Sequence, residues 1–135
     1  MTGDVKNWNA TASTSYTGWQ DANNPCPTGF TVPTYEQCRD LINKTSQTYG
    51  GGFSETDYGY VIFKSGSNTL EFPIVGCRIS TTGVLQRAGY FSYYWSSDSY
   101  SNNNYSYCIY LNNGSASIST TIDKLQGNSV RCVRK

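Results

Sequence analysis

Residues 28–43 read TGFTVPTYEQCRDLIN, and the fold is parsed outward from them. Phe30 and Val32 alternate with other residues as a short strand does. Thr34 and Gln37 have the T-x-x-Q spacing of a capping box, in which each side chain satisfies an N–H of the opening turn. Glu36 places negative charge at the positive end of the helix dipole. Cys38, Leu41 and Ile42 fall at i, i+3 and i+4 and make one apolar stripe, and Asn43 is a plausible stop. The prediction is a strand followed by one short amphipathic helix over residues 34–43. Cys38, on the stripe, reads as a small core residue rather than a reactive thiol.

On either side the pattern changes. Residues 1–25 read as an irregular segment with aromatic anchors Trp8, Tyr16 and Trp19 and room for one strand. Residues 21–27, DANNPCP, are turn chemistry. Residues 44–58, rich in Gly, Ser and Thr, read as a long loop. Residues 60–64, 70–79, 93–97, 105–111, 115–119 and 129–135 then read as strands separated by turn residues. Asn113-Gly114 between two alternating runs predicts a hairpin. No internal repeat or second domain is visible. The expected architecture is a single α+β domain over 1–135, with one or two short helices early and many short antiparallel strands.

Composition narrows the function. The chain has 135 residues and only 14% charged residues, against a usual ~25%. The net charge of +1 gives no electrostatic reason to expect a nucleic-acid partner. No apolar run approaches the ~20 residues that span a bilayer, so no membrane insertion is expected. The N-terminal stretch has no basic region followed by an apolar core, so it does not read as a signal peptide. With no histidine, Ser-His and Cys-His catalysis and His-containing zinc sites are excluded. The five cysteines show no CxxC spacing. Among them Cys77 and Cys108 have the best claim to reactivity, because neither has an evident partner. The acidic residues are scattered, and Glu55 and Asp57 read as solvated loop charges. The sequence therefore points away from an enzyme and requires no cofactor and no metal.

Residues 98–110, DSYSNNNYSYCIY, leave three readings open on composition: a linker, an exposed strand and loop, or a surface selected for binding. Between 90 and 128 stand seven Tyr, nine Ser and six Asn. Antibody loops use the same vocabulary, because Tyr gives large contact area at low entropic cost and Ser and Asn give adaptable hydrogen bonds. The bland alternative is that the tyrosines are strand residues. At a period of two, Tyr105 and Tyr107 share a face with Ile109 and Leu111, and that face suits the core. The opposite face carries Ser106, Cys108 and Tyr110.

Five pieces in order resemble a known family: NPCPTGFTVPTYEQCRDLIN (24–43), LEFPIVGCR (70–78), GYFSYYWSSD (89–98), YCIYLNNGSASIS (107–119) and GNSVRCVRK (127–135). They resemble the Fibrobacter succinogenes major paralogous domain of gut Bacteroidota and their phages, over about residues 19–135. The resemblance implies a C-type-lectin-like fold. It also implies a disulfide between Cys26, before the helix, and Cys132, in the last strand. Cys38 stands where that family usually has Trp, Cys77 and Cys108 where an aromatic or small residue is usual, and Asn128 where Phe is frequent. The calcium-dependent sugar motifs of true C-type lectins are missing, so calcium-mediated sugar binding is not expected.

A narrower resemblance is to the variable proteins of diversity-generating retroelements. There a reverse transcriptase mutates adenines while copying a template repeat into the 3′ part of the gene. Template Asn codons then become Tyr, Ser, Asn, Asp, Gly, Ile, Thr or Cys, among others, but never Lys, Gln, Glu, Met or Trp. All of residues 98–110 lie within that alphabet, whereas Lys124 and Gln126 lie outside it. The resemblance implies a variable binding region over 90–128. Its candidate ligand-binding residues are Tyr90, Phe91, Ser92, Asp98 and Tyr100, then Asn102, Asn103, Asn104, Ser106, Cys108 and Tyr110. Further along they are Ser117, Ser119, Thr121, Asp123 and Asn128. The expected function is recognition of a protein or glycan on a cell surface, by a chain displayed extracellularly, on a cell surface or on a phage virion. Display as an oligomer or in many copies would add avidity. The alternative is a bacterial surface adhesin or fimbria-associated domain that is not diversified.

Overall fold

The structure is a computed structural model that describes residues 24–100 and 104–135. The anchors Trp8, Tyr16 and Trp19, and the binding candidates Asn102 and Asn103, lie outside the described residues. The helix α1 spans Tyr35–Lys44. Thr34 is its N-cap, and both arms of the capping box form: Gln37 N–H donates to Thr34 Oγ1 at 3.2 Å, and Thr34 N–H donates to Gln37 Oε1 at 2.9 Å. The helix runs through Asn43 and closes at Thr45, whose extended backbone ends it. Cys38 is buried on its inner stripe, with Leu41 and Ile42 packed beside it.

Around the helix the chain is mostly antiparallel strand, in an α+β arrangement. Strand β1 (Phe30–Thr31) pairs with β10 (Val133–Arg134), so the two ends of the described chain meet. The disulfide Cys26–Cys132, with Cα atoms 5.8 Å apart, joins the same two segments. Strands β2 (Ser46–Gly50), β3 (Tyr60–Ser65) and β4 (Asn68–Pro73) form one sheet. Strands β5 (Cys77–Arg78) and β6 (Leu85–Gln86) form a short ribbon. Strands β7 (Phe91–Ser99), β8 (Tyr105–Asn112) and β9 (Ser115–Asp123) form a third sheet.

Three expectations are corrected. Residues 46–50 are strand, not loop. Gln47 ties that strand to the helix end by donating Nε2 to the carbonyls of Ile42 and Thr45, and Tyr49 packs on the core. Residues 70–79 are two strands rather than one. Gly76 breaks them with a φ of +76°, and a Cβ there would collide with the Gln86 carbonyl oxygen and Ala88 N. Of residues 129–135 only Val133–Arg134 is strand, although Ser129 makes an isolated bridge to Tyr94. The β8–β9 hairpin forms as predicted, with Asn112 opposite Ser115 and Gly114 at a φ of +89°.

The main core lies where α1 and the two three-stranded sheets converge. It contains Val61, Phe63, Phe72, Ile74, Tyr94, Ile109 and Leu111 around Cys38. Phe72 packs edge-on to both Phe63 and Tyr94, at 5.2 and 4.8 Å between ring centres. A smaller core of Val32, Trp95 and Cys108 lies toward the disulfide, with Cys26 against it.

Candidate functional site

The register of the β7–β8–β9 sheet divides its side chains between two faces. Tyr94 lies opposite Ile109 and Ser92 opposite Leu111, while Ile109 faces Ile118 and Leu111 faces Ala116. These residues form the inner face, turned to the main core. The alternate set forms the outer face: Phe91 opposite Asn112, Tyr93 opposite Tyr110, Tyr110 opposite Ser117, and Asn112 opposite Ser115.

On the outer face three rings stand together. Ring centres are 5.4 Å apart for Phe91–Tyr93, 5.0 Å for Tyr93–Tyr110 and 5.9 Å for Phe91–Tyr110. Each ring is half-buried. Asn112 donates Nδ2 to the Tyr110 hydroxyl at 3.2 Å, while its Oδ1 is buried with no partner among the described residues. Burial, aided by Tyr110 and then by Cys77 and Cys108, holds the Tyr93 phenol above its usual pKa, so it stays a neutral donor. Further along the same face Trp95 and Cys108 are buried. The segment around Ser129 flanks β7: Trp95 N–H donates to the Ser129 carbonyl and Ser129 N–H to the Tyr93 carbonyl.

A second cluster lies at the helix start. Tyr107 packs against Tyr35 of α1 at 4.4 Å and against Tyr100 at 5.4 Å, and the Arg39 guanidinium lies 5.7 Å from the Tyr35 ring. Two irregularities bring this about. Three residues of β7, 96–98, oppose Tyr107 alone, and on β9 Thr120 and Thr121 oppose it together. The β7 bulge turns Asp98 toward the helix, where its Oδ2 accepts the Tyr35 N–H at 2.6 Å.

The predicted binding residues therefore do not form one face. Phe91, Tyr110, Ser117 and Ser119 share the outer face, and Tyr90, 42% exposed, precedes it. Asn128 is half-buried and donates to Gln126 Oε1. Tyr100 belongs to the helix-side cluster. Asn104 and Thr121 are exposed, and Asp123 Oδ1 accepts the Leu125 N–H in a local turn. Four assignments are corrected. Ser92 is fully buried and its Oγ accepts the Val75 N–H at 2.6 Å. Ser106 is buried and donates to the Asp98 carbonyl at 2.6 Å. Cys108 is fully buried in the smaller core. Asp98 is engaged in capping α1. Tyr105 and Tyr107 share a strand face with Ile109 and Leu111, yet both are half-exposed, because the core face ends where the bulges begin.

Sequence reasoning missed Tyr93, Asn112 and Ser115 on the outer face and Tyr35 and Arg39 at the helix. The signal for the first three was present: Phe91, Tyr93 and Trp95 alternate, and the Asn113-Gly114 turn fixes which β9 residue each β8 residue meets. Nothing local links Tyr35 to Tyr107, since they are distant in sequence.

The free thiols are poor nucleophiles. Cys38, Cys77 and Cys108 are all buried. Desolvation pushes Cys38 up to about 12, with the Asp98 charge adding to it, and raises Cys77 and Cys108 as well. Among the described residues no group of three or more Cys, Asp or Glu side chains comes together as a metal site, and no helix is long and apolar enough to cross a membrane. Comparison with protein-family models, with curated proteins and with solved structures yields no match to this chain.

Proposed function

We propose that the chain is a non-enzymatic ligand-binding module of C-type-lectin-like fold, and that the outer face of β7–β9 is a recognition surface diversified by a retroelement. The observation that carries the proposal is that face itself. Phe91, Tyr93, Tyr110, Asn112, Ser115, Ser117 and Ser119 combine an aromatic centre with hydroxyl and amide neighbours on a rigid sheet. All seven residues, of the four types Phe, Tyr, Asn and Ser, are reachable from template Asn codons by adenine mutation. Trp95, which is not reachable, is buried. Lys124 and Gln126, also unreachable, make internal contacts to Ser99 Oγ and Cys77 Sγ. Trp95, Lys124 and Gln126, outside the mutable alphabet, thus support the fold, while every one of the seven residues on the face lies within it.

The antiparallel meeting of β1 and β10, beside the Cys26–Cys132 disulfide, is the kind of closure that the lectin-like resemblance implies. The partner class is a protein or glycan on a cell surface, met by a chain displayed on a bacterial surface or a phage virion. The genetic locus tests the diversified reading. A neighbouring reverse-transcriptase gene and a near-copy of the 3′ end differing at adenines are expected. A locus without either leaves an ordinary adhesin and defeats the diversified reading.

A further inference from the structure

We infer that β9 is a docking edge for a second copy of this chain, pairing antiparallel with the partner's β9 about a two-fold axis at Ser117. The β7–β8–β9 sheet protects only one of its two edges. On β7, Gly76 N–H donates to the Phe91 carbonyl, Trp95 N–H to the Ser129 carbonyl and Ser129 N–H to the Tyr93 carbonyl. β9 pairs with β8 alone, and among the described residues the backbone of 115–122 makes no further hydrogen bond. That stretch, SASISTTI, holds no charge and no proline, the usual devices that keep an edge from pairing. In the other three-stranded sheet, the edge strand β4 carries Glu71 and ends at Pro73.

The β9 edge is complementary to itself. The two-residue turn makes Asn112 and Ser115 a hydrogen-bonding pair, so alternation turns the N–H and C=O of Ala116 and Ile118 outward. In the two-fold register Ala116 and the partner's Ile118 exchange these groups, and so do Ile118 and the partner's Ala116. On the inner face the small Ala116 then lies against the larger Ile118, and both are only partly buried in the single chain. On the outer face Ser115 meets the partner's Ser119, and Ser117 meets the partner's Ser117, hydroxyls that each donate or accept. Asp123, beyond the bulge at Thr120 and Thr121, lies outside the paired stretch, so no carboxylate faces its own copy. A foreign strand is selected by pockets or charges beside the edge. This edge offers small hydroxyls and aliphatic groups that match their own sequence position by position. Such a dimer forms whatever the outer face binds. It joins two sheets into one and sets two Phe91–Tyr93–Tyr110 clusters on the same side, where weak sites gain avidity.

The experiment is sedimentation equilibrium of the disulfide-bonded protein over a concentration series. Wild type is compared with Ser117→Lys, Ser117→Glu, their equimolar mixture and the control Val84→Lys, with thermal melting measured for each. Ser117 and Val84 are exposed, so their variants leave the core intact. Wild type and Val84→Lys should reach a mass of two chains. Ser117→Lys and Ser117→Glu each set like charges face to face at the axis, and self-association should weaken by about tenfold or more. The mixture sets Lys against Glu and should restore the two-chain mass. Ser117→Cys, oxidised, should give a covalent pair of chains on a non-reducing gel, since Cys38, Cys77 and Cys108 are buried and do not compete. That variant keeps the test decisive if a charged one melts early. Wild type that stays a single chain at its highest soluble concentration overturns the inference. So does association that both charged variants leave intact, a mixture that stays single-chain, or a Ser117→Cys protein that forms no covalent pair.

Discussion

Ser92 and Ser117 are the same residue type on one sheet, and the pleat gives them opposite roles. Ser92 faces inward and accepts the Val75 N–H, so Ser92→Ala orphans a donor in a buried place. A loss of ~1–3 kcal/mol in chemical denaturation is expected. Ser117→Ala, on the exposed side, should stay within about 0.5 kcal/mol of wild type. The buried thiols set a pH dependence. Each is an acid whose folded pKa is raised above its ordinary 9.0, Cys38 to about 12. The neutral thiol is therefore favoured in the folded state. Its contribution is intact below the unfolded pKa and is lost as pH rises from 9 toward 12. Urea midpoints should fall over that alkaline window, and less steeply in Cys38→Ala. A midpoint that stays flat there would contradict the burial of these groups.

At the scale of the element, α1 and the β8–β9 hairpin were legible because their signals are local. Thr34 and Gln37 are three residues apart, and Asn113-Gly114 is its own turn. Strand β2 was not, since SQTYG has neither bulk nor clean alternation and becomes strand by pairing with β3. The candidate site was half legible. Its composition singled out the β7–β9 segment, but assignment to a face needed the register, and the bulges around Tyr107 shift that register. Cys108 is buried although it lies on the outer face, because Val32 and Trp95 pack over it there, and Ser106, beyond the bulge, is buried against the Asp98 carbonyl. The same bulge gives Asp98 its structural role. Asp98→Ala removes the acceptor of the Tyr35 N–H at a helix start, and a loss of ~1–2 kcal/mol is expected. An unchanged denaturation midpoint would show that the contact contributes nothing.

At the scale of the whole molecule, the pairing of β1 with β10 joins segments about a hundred residues apart, and the Cys26–Cys132 disulfide reinforces it. Closing a loop of 106 residues is worth ~4–5 kcal/mol in the chain-entropy model. Reduction, or Cys26→Ser with Cys132→Ser, should lower stability by about that amount. Intact mass should rise by two hydrogens on reduction of the folded protein, and an unchanged mass would mean the bond is absent. This closure leaves the β7–β9 sheet backed by the main core on one side and half-open on the other. The proposed role of its open face is that of a diversified recognition surface. Deep sequencing of this gene's 3′ end across a population of its host tests that claim most directly. Variation should concentrate at codons 91, 93, 110, 112, 115, 117 and 119 and spare the buried codons 92, 96, 106 and 108. An invariant face, or variation that falls equally on the buried codons, would contradict it.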